Sequence, residues 1–220
     1  MTALDSFIKL LEGVSPEDEF LVDMNFDGPG VVLFDVAHIA TDLVPKADEY
    51  LSGGSKVYVI GYDGQSVSQE NYRWTSDIMR WVDQGNDVDY LLLEPHVEAV
   101  ERLRHEARKI ETVTGSLRII GLQKKKPVKP EDKQLIKQWE TFHFVAFDNP
   151  KQLWVEKNHP AGSTDAEGCA YFPPSAAGNS PLWTLLRHQF EHVVNSYGEP
   201  LIVAGREAGS NTPAPELEPA

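Results

Sequence analysis

The chain has 220 residues, with 20 lysine and arginine residues against 34 aspartate and glutamate residues, which gives a formal net charge of −14. This length suits one domain with a sizeable hydrophobic core, and the negative charge disfavours direct binding to nucleic acid or to an anionic membrane surface. The single cysteine, Cys169, excludes an intrachain disulfide and a cysteine-rich zinc site, and no apolar run reaches the roughly eighteen residues of a membrane span, so we expect a cytoplasmic protein.

Residues 1–35 are predicted to form an extension that precedes the main domain. The apolar pattern at 7–11 predicts a short amphipathic helix. Residues 1–20 lack a basic N-terminal region and carry acidic residues among the apolar ones, which argues against a signal peptide. Two apolar runs then flank the turn residues 27–30. Beyond them, apolar residues at 36–51 recur at helical spacing, which predicts a helix that Pro45 kinks or breaks early.

The next part of the chain alternates regularly between strand and helix patterns. Three apolar runs predict buried strands at 56–63, 87–95 and 116–123. Between them, apolar residues three and four positions apart predict two amphipathic helices, which end near Gly85 and Gly115. This alternation with short turns is typical of an α/β fold whose sheet is mostly parallel or mixed, with helices on both faces.

The predicted organisation therefore has three parts, namely an extension at 1–35, an α/β domain at 36–205 and a disordered acidic tail at 206–220. Within the domain, the Gly-, Ala-, Ser- and Pro-rich segment 161–181 predicts a long loop. Apolar periodicity then predicts a last helix at 182–197, and a short apolar run at 201–205 suggests a final strand.

One basic run stands out in this acidic chain. It contains Lys124, Lys125, Lys126 and Lys129, and its two prolines predict a loop. The simplest interpretation is a solvated turn, and the alternative is a loop that binds an anion or docks a partner.

A second pattern, formed by His188, Glu191 and His192, matches the H-x-x-E-H motif of zinc peptidases. At about 100° per residue, both histidines lie roughly opposite the apolar side of their helix, so we expect them to face solvent rather than a zinc-binding cleft. The sequence therefore predicts no metal and no cofactor.

The stretch 141–160, TFHFVAFDNPKQLWVEKNHP, combines the apolar density of a core strand with several side chains that can carry chemistry. Those side chains are His143, Asp148, Glu156, Asn158 and His159. The two-residue period of a strand places Thr141 and His143 on the same face. We interpret this stretch as a core strand that carries a site.

The same stretch resembles the half-site of the phospholipase D superfamily, a strand with the pattern His-x-Lys-x4-Asp that is followed about ten residues later by Asn. Asp148 and Asn158 match the Asp and the Asn, whereas Thr141 occupies the position of the nucleophilic His and His143 that of the Lys. The preceding order of strand, helix ending in glycine and second strand is also similar. The resemblance covers roughly residues 36–198 and implies a phospholipase D-like α/β domain.

The two altered positions decide what the resemblance implies about activity. The family reaction needs an imidazole nucleophile and lysines that stabilise the phosphoryl oxygens. Thr141 is a weak nucleophile without an adjacent base, and a histidine is only partly cationic near neutral pH. The family also uses two half-sites, whereas this chain supplies one. The resemblance thus implies a catalytically degenerate module for ligand sensing, regulation or protein docking.

Such a module would bind its ligand with Thr141, His143, Glu156, Asn158 and His159. The expected partner is a second copy in a homodimer or another protein, and a small phosphate-containing molecule is a candidate ligand. The basic run would then be an anion-binding loop.

Besides a zinc site formed by His188, Glu191 and His192, which exposure of both histidines would rule out, two alternatives remain open from the sequence. The first is a divergent phosphodiester hydrolase or phosphotransferase in which His143 is the nucleophile or acid, Asp148 orients it, and Lys151 or the basic loop binds phosphate. The second is a structural or docking subunit whose pseudo-site holds no ligand. The environment of His143 distinguishes them, because an enclosed and apolar environment argues against the enzyme.

Overall fold

The computed structural model describes residues 31–38, 43–64, 73–110, 114–123, 126–140, 142–157, 165–178 and 180–205. Eight strands in these residues form one sheet: β1 Val32–His38, β2 Lys56–Gly61, β3 Asp87–Leu92, β4 Ser116–Leu122, β5 Phe142–Asp148, β6 Lys151–Lys157, β7 Asp165–Phe172 and β8 Gly198–Gly205. Six helices accompany them: α1 Val44–Asp48, α2 Arg73–Asp83, α3 Val97–Ala107, α4 Pro130–Trp139, α5 Pro174–Ala177 and α6 Pro181–Tyr197.

The strand order across the sheet is β1-β7-β6-β5-β2-β3-β4-β8. Strand β3 is parallel to both of its neighbours, β2 and β4, and the other neighbouring strands are antiparallel. The α/β class with a mixed sheet is therefore confirmed. The β2-α2-β3-α3-β4 segment forms the parallel part, as the alternation of patterns predicts.

Helices cover both faces of the sheet, as expected. The first face packs against α1, α2 and α3, whose core residues include Ala47, Trp81 and Leu103. The second face packs against α4, α5 and α6 through residues that include Trp139 and Phe190. Because successive side chains of a strand point to opposite faces, each inner strand contributes apolar residues to both layers.

The predicted elements with strong periodicity are confirmed with small shifts at their ends. Helix α2 ends where predicted, because Gly85 adopts a φ of 92°, a conformation that glycine reaches without steric cost. The apolar stripe of α6 is buried at Trp183, Leu186, Phe190 and Val193.

The prediction of one helix over 36–51 is wrong at both ends. Residues up to His38 belong to β1, which pairs with β7, and the helix comprises only Val44–Asp48. Pro45 lies in the first turn of α1 rather than at a kink, which is the helical position where proline costs least. The predicted domain boundary between 35 and 36 falls inside β1.

The stretch 141–160 contains two strands instead of one. Strands β5 and β6 form an antiparallel hairpin in which Asp148 pairs with Lys151, and the turn between them is Asn149-Pro150, with a cis peptide bond. An Asn-Pro dipeptide is a turn signal, and a proline inside a central strand would remove a hydrogen bond from the ladder.

The predicted long loop at 161–181 is also corrected. It contains β7, which pairs with β1 on one side and β6 on the other, and the short helix α5. Small and polar residues give β7 little strand signal of its own, so its conformation comes from pairing on both edges.

Several predictions lie outside the described residues, namely the helix at 7–11, the turn at 27–30 and the tail at 206–220. Among the helices that are described, none is both long enough and apolar enough to cross a membrane.

Candidate functional site

The hairpin and β7 bring three chemically distinct side chains into one row across the sheet. His143 of β5 pairs with Glu156 of β6, and Glu156 pairs with Cys169 of β7. Directly opposed residues of antiparallel strands point to the same face, so an imidazole, a carboxyl and a thiol lie side by side. With a strand spacing of about 4.8 Å, this polar row spans about 10 Å between the outer Cα atoms.

The polar row lies near the end of the sheet at which β2 ends and β5 begins. Val145 of β5 pairs with Val59 of the antiparallel strand β2, so the start of β5 lies beside the end of β2. Strands β3 and β4 run parallel to β2, so their carboxyl ends lie at the same end of the sheet. Ligands of open α/β sheets bind beyond the carboxyl ends of the parallel strands. The row lies on the antiparallel strands β5, β6 and β7, beside this end of the parallel strands.

Burial controls the charge of the row. His143, Glu156 and Cys169 are 8%, 6% and 2% exposed. Loss of solvation raises the pKa of Glu156 to about 8, so its carboxyl is mostly protonated at neutral pH. Burial, followed by the nearby Glu156, raises the pKa of the Cys169 thiol well above its usual value. The thiol therefore remains protonated and is a poor nucleophile.

Aromatic side chains form a rigid layer beside the polar row on the same face. The ring centroids of Trp81 and Phe147 are 5.2 Å apart in an edge-to-face contact, and Trp154 lies 5.9 Å from Phe147. Trp154 is two residues before Glu156 on β6, so this layer begins one side-chain position from the row. It fixes the hairpin against α2 and deepens the apolar surroundings that keep Glu156 neutral.

A buried amide holds α1 over the same face. The Gln152 side chain donates a hydrogen bond to the carbonyl of Ala47 at 3.2 Å and accepts one from the Tyr171 hydroxyl at 2.7 Å. The Tyr171 hydroxyl oxygen also lies 3.1 Å from the carbonyl oxygen of Lys46, so two acceptors share its single proton. These bonds connect β6, β7 and α1.

Asp148 does not lie beside His143. It is five residues further along β5, about 16 Å away, and an odd separation places it on the opposite face. Its carboxylate accepts hydrogen bonds from the backbone N–H of Lys56 at 2.7 Å and from the Ser55 hydroxyl at 3.3 Å. The expectation that Asp148 orients His143 is therefore wrong. The hydrogen bonds of Asp148 join the hairpin turn to the start of β2.

The predicted phosphate-binding lysines are also distant from the polar row. Lys126 contacts the carbonyl of Ser196 and the ring of Tyr197, and Lys129 is the exposed N-cap of α4. This loop follows β4, three strands from β5. Lys151 lies at the other end of the hairpin, with its ammonium 4.7 Å from the Trp183 ring centroid.

The residues of the H-x-x-E-H pattern have other contacts. Both His188 and His192 are exposed, as expected, and His192 lies 3.1 Å from a carboxylate oxygen of Asp132. Glu191 accepts hydrogen bonds from the Tyr58 hydroxyl at 3.2 Å and from Arg187 at 3.1 Å. Within the described part of the chain, no group of three histidine, cysteine or acidic residues has the arrangement of a metal site.

Of the residues predicted for the site, the structure brings together His143 and Glu156. Thr141, Asn158, His159, Lys124 and Lys125 lie outside the described residues. The sequence interpretation missed Cys169 as a neighbour, because it placed that residue in a loop. Recognition of the Asn-Pro turn would have revealed the hairpin, although the register of β7 has no comparable sequence signal.

Comparison with models of known protein families and with curated proteins found no match for this chain.

Proposed function

We propose that the chain is a catalytically degenerate, phospholipase D-like domain that acts by binding at the polar row, as a sensing or regulatory module. The observation that carries this proposal is the pairing of His143 with Glu156 on adjacent strands. It places a carboxyl group beside the position where the resemblance aligns a phosphate-binding lysine.

Charge favours binding over phosphodiester chemistry. A transferring phosphoryl group is anionic, and enzymes stabilise it with cations or oriented donors. Here the neighbouring carboxyl is neutral near pH 7 and becomes an additional negative charge as the pH rises beyond about 8. Among the described lysines, Lys126, Lys129 and Lys151 are located elsewhere in the fold. We therefore propose that the ligand is uncharged or cationic rather than a phosphate.

The row also lacks the features of an activated nucleophile. Cys169 retains its proton because of burial, and Asp148, the expected orienting carboxylate, is on the other face of the sheet. What remains is a buried, protonated carboxyl that can donate a hydrogen bond, together with an imidazole and a thiol. Such a set suits recognition of a small polar group.

Thermal denaturation against a panel of small neutral, cationic and phosphate-containing molecules tests the proposal. We expect a neutral or cationic compound to raise the melting temperature of the wild type. His143→Ala should abolish this shift, and His188→Ala, which changes an exposed histidine, should retain it. Stabilisation by phosphate compounds that depends on His143 would contradict the charge argument.

A further inference from the structure

Three lysines form an exposed row along α4. Lys129, Lys133 and Lys137 follow one another at intervals of four residues, and the backbone N–H of Lys133 donates to the carbonyl of Lys129 at 2.9 Å. In a helix this spacing places them within an arc of about 80° and about 6 Å apart along the axis. All three side chains are exposed.

Acidic residues of the same helix offset the charge of this lysine row only in part. Glu140, the exposed C-cap of α4, lies three residues after Lys137 on the same side of the helix. Asp132 is buried and accepts hydrogen bonds from Tyr197 at 2.6 Å and from His192 at 3.1 Å. Glu131 lies about 120° further round the helix than Lys137. Of the two acids in the first turn, Asp132 is hydrogen-bonded on the inner side of the helix, and Glu131 lies on a different side of the helix from the lysines.

Among the described residues, no ion pair involves Lys133 or Lys137, the middle and the end of the lysine row. Six other basic residues of the described chain do have an acidic partner, namely Lys56, Arg80, Arg104, Lys109, Arg118 and Arg187. Like charges four residues apart destabilise a helix, so helix formation does not explain this arrangement.

The lysine row is also held in a fixed position. Trp139 of α4 is fully buried in the core of the second face, and Leu135, Ile136 and Val128 pack against that core. The loop before the helix is anchored by Lys126, which contacts the Ser196 carbonyl and the Tyr197 ring. A binding partner would therefore meet a preformed helix backbone and would have to order only the lysine side chains.

We propose that this face of α4 docks an acidic segment of a protein partner, whose carboxylates recur about 6 Å apart, as they do at every fourth position of a helix. Charge complementarity selects this occupant. At physiological ionic strength charges are screened beyond about 8 Å, so a short acidic segment interacts mainly with the lysines it touches. An extended nucleic acid would also pass over the remaining surface of a chain whose net charge is −14.

Fluorescence anisotropy with a labelled helical peptide that carries glutamate at every fourth position tests this docking surface. A matched peptide with glutamine at those positions reports non-specific binding. The full chain is compared with a triple variant, Lys129→Gln, Lys133→Gln and Lys137→Gln. A control triple variant, Arg102→Gln, Arg108→Gln and Lys109→Gln, removes the same charge from exposed residues around the end of α3.

We expect the wild type and the control variant to bind the glutamate peptide equally. The α4 variant should bind it about tenfold more weakly, as expected for the loss of three exposed ion pairs. Equal weakening of both variants, or no preference for the glutamate peptide over the glutamine peptide, would overturn the proposal. Tighter, Lys133-dependent binding of a single-stranded oligonucleotide would assign the surface to nucleic acid instead.

Discussion

Replacement of Glu156 by glutamine should stabilise the fold increasingly as the pH rises. The carboxyl of Glu156 has a pKa of about 8 in the fold against 4.5 for the unperturbed group. The unfolded chain therefore releases this proton above about pH 4.5, whereas the folded chain keeps it until about pH 8. Because the folded pKa is the higher one, the stabilising contribution is complete below pH 4.5 and is lost as the pH rises through about 8.

The magnitude follows from the size of the pKa shift. At 1.36 kcal/mol per pKa unit, the contribution of Glu156 to the free energy of unfolding is about 3 kcal/mol smaller at pH 7 than below pH 4.5. Glutamine has a similar shape and does not titrate in this range. The stability of Glu156→Gln relative to the wild type should therefore increase by about 3 kcal/mol between pH 5 and pH 8.

Urea denaturation of both proteins at four pH values from 5 to 8 measures this difference. Glu131→Gln is the matched control, because Glu131 is exposed and its replacement should change stability by less than about 0.5 kcal/mol at every pH. Parallel pH profiles for the wild type and Glu156→Gln would refute the reasoning. They would show that Glu156 is ionised in the fold.

Three further substitutions or treatments test the surroundings of the site. Asp148→Ala should reduce the free energy of unfolding by about 1–2 kcal/mol in urea, because the N–H of Lys56 loses its acceptor; an unchanged midpoint would contradict this role. Gln152→Ala should cost about 2–4 kcal/mol by thermal or urea denaturation, since it leaves a cavity, removes the nearer of the two acceptors of the Tyr171 hydroxyl and removes the donor to the Ala47 carbonyl. A thiol-specific reagent should modify Cys169 at least about tenfold more slowly in the native protein than in urea, because the thiol is buried and protonated; equal rates would show that the thiol is accessible.

The sequence predicts those elements whose own pattern is strong. The continuous apolar runs of β2 and β3 and the periodic apolar side of α6 identify themselves without reference to the rest of the chain. Strand β7 has no such pattern, because it mixes acidic, small and aromatic residues and becomes a strand between β1 and β6. The helical spacing at 36–51 was misleading because β1 is stabilised by non-local pairing.

The candidate site could likewise be predicted from the sequence only in part. His143 and Glu156 can be singled out from the sequence because each is a titratable residue within an apolar strand. The pairing of these two residues across the strands depends on the hairpin register, which the Asn-Pro turn sets. The position of Cys169 beside Glu156 depends on the register between β6 and β7. Residues 158–164 separate these strands in the chain, so tertiary contacts set their pairing.

Hydrolysis of a generic phosphodiester, bis(p-nitrophenyl) phosphate, by the purified full chain tests the central proposal most directly. A catalytically degenerate domain should release p-nitrophenol no faster than buffer, and His143→Ala and His188→Ala should be indistinguishable from the wild type. Turnover above the buffer rate that His143→Ala abolishes and His188→Ala retains would contradict the account and assign the polar row to an active phosphodiesterase.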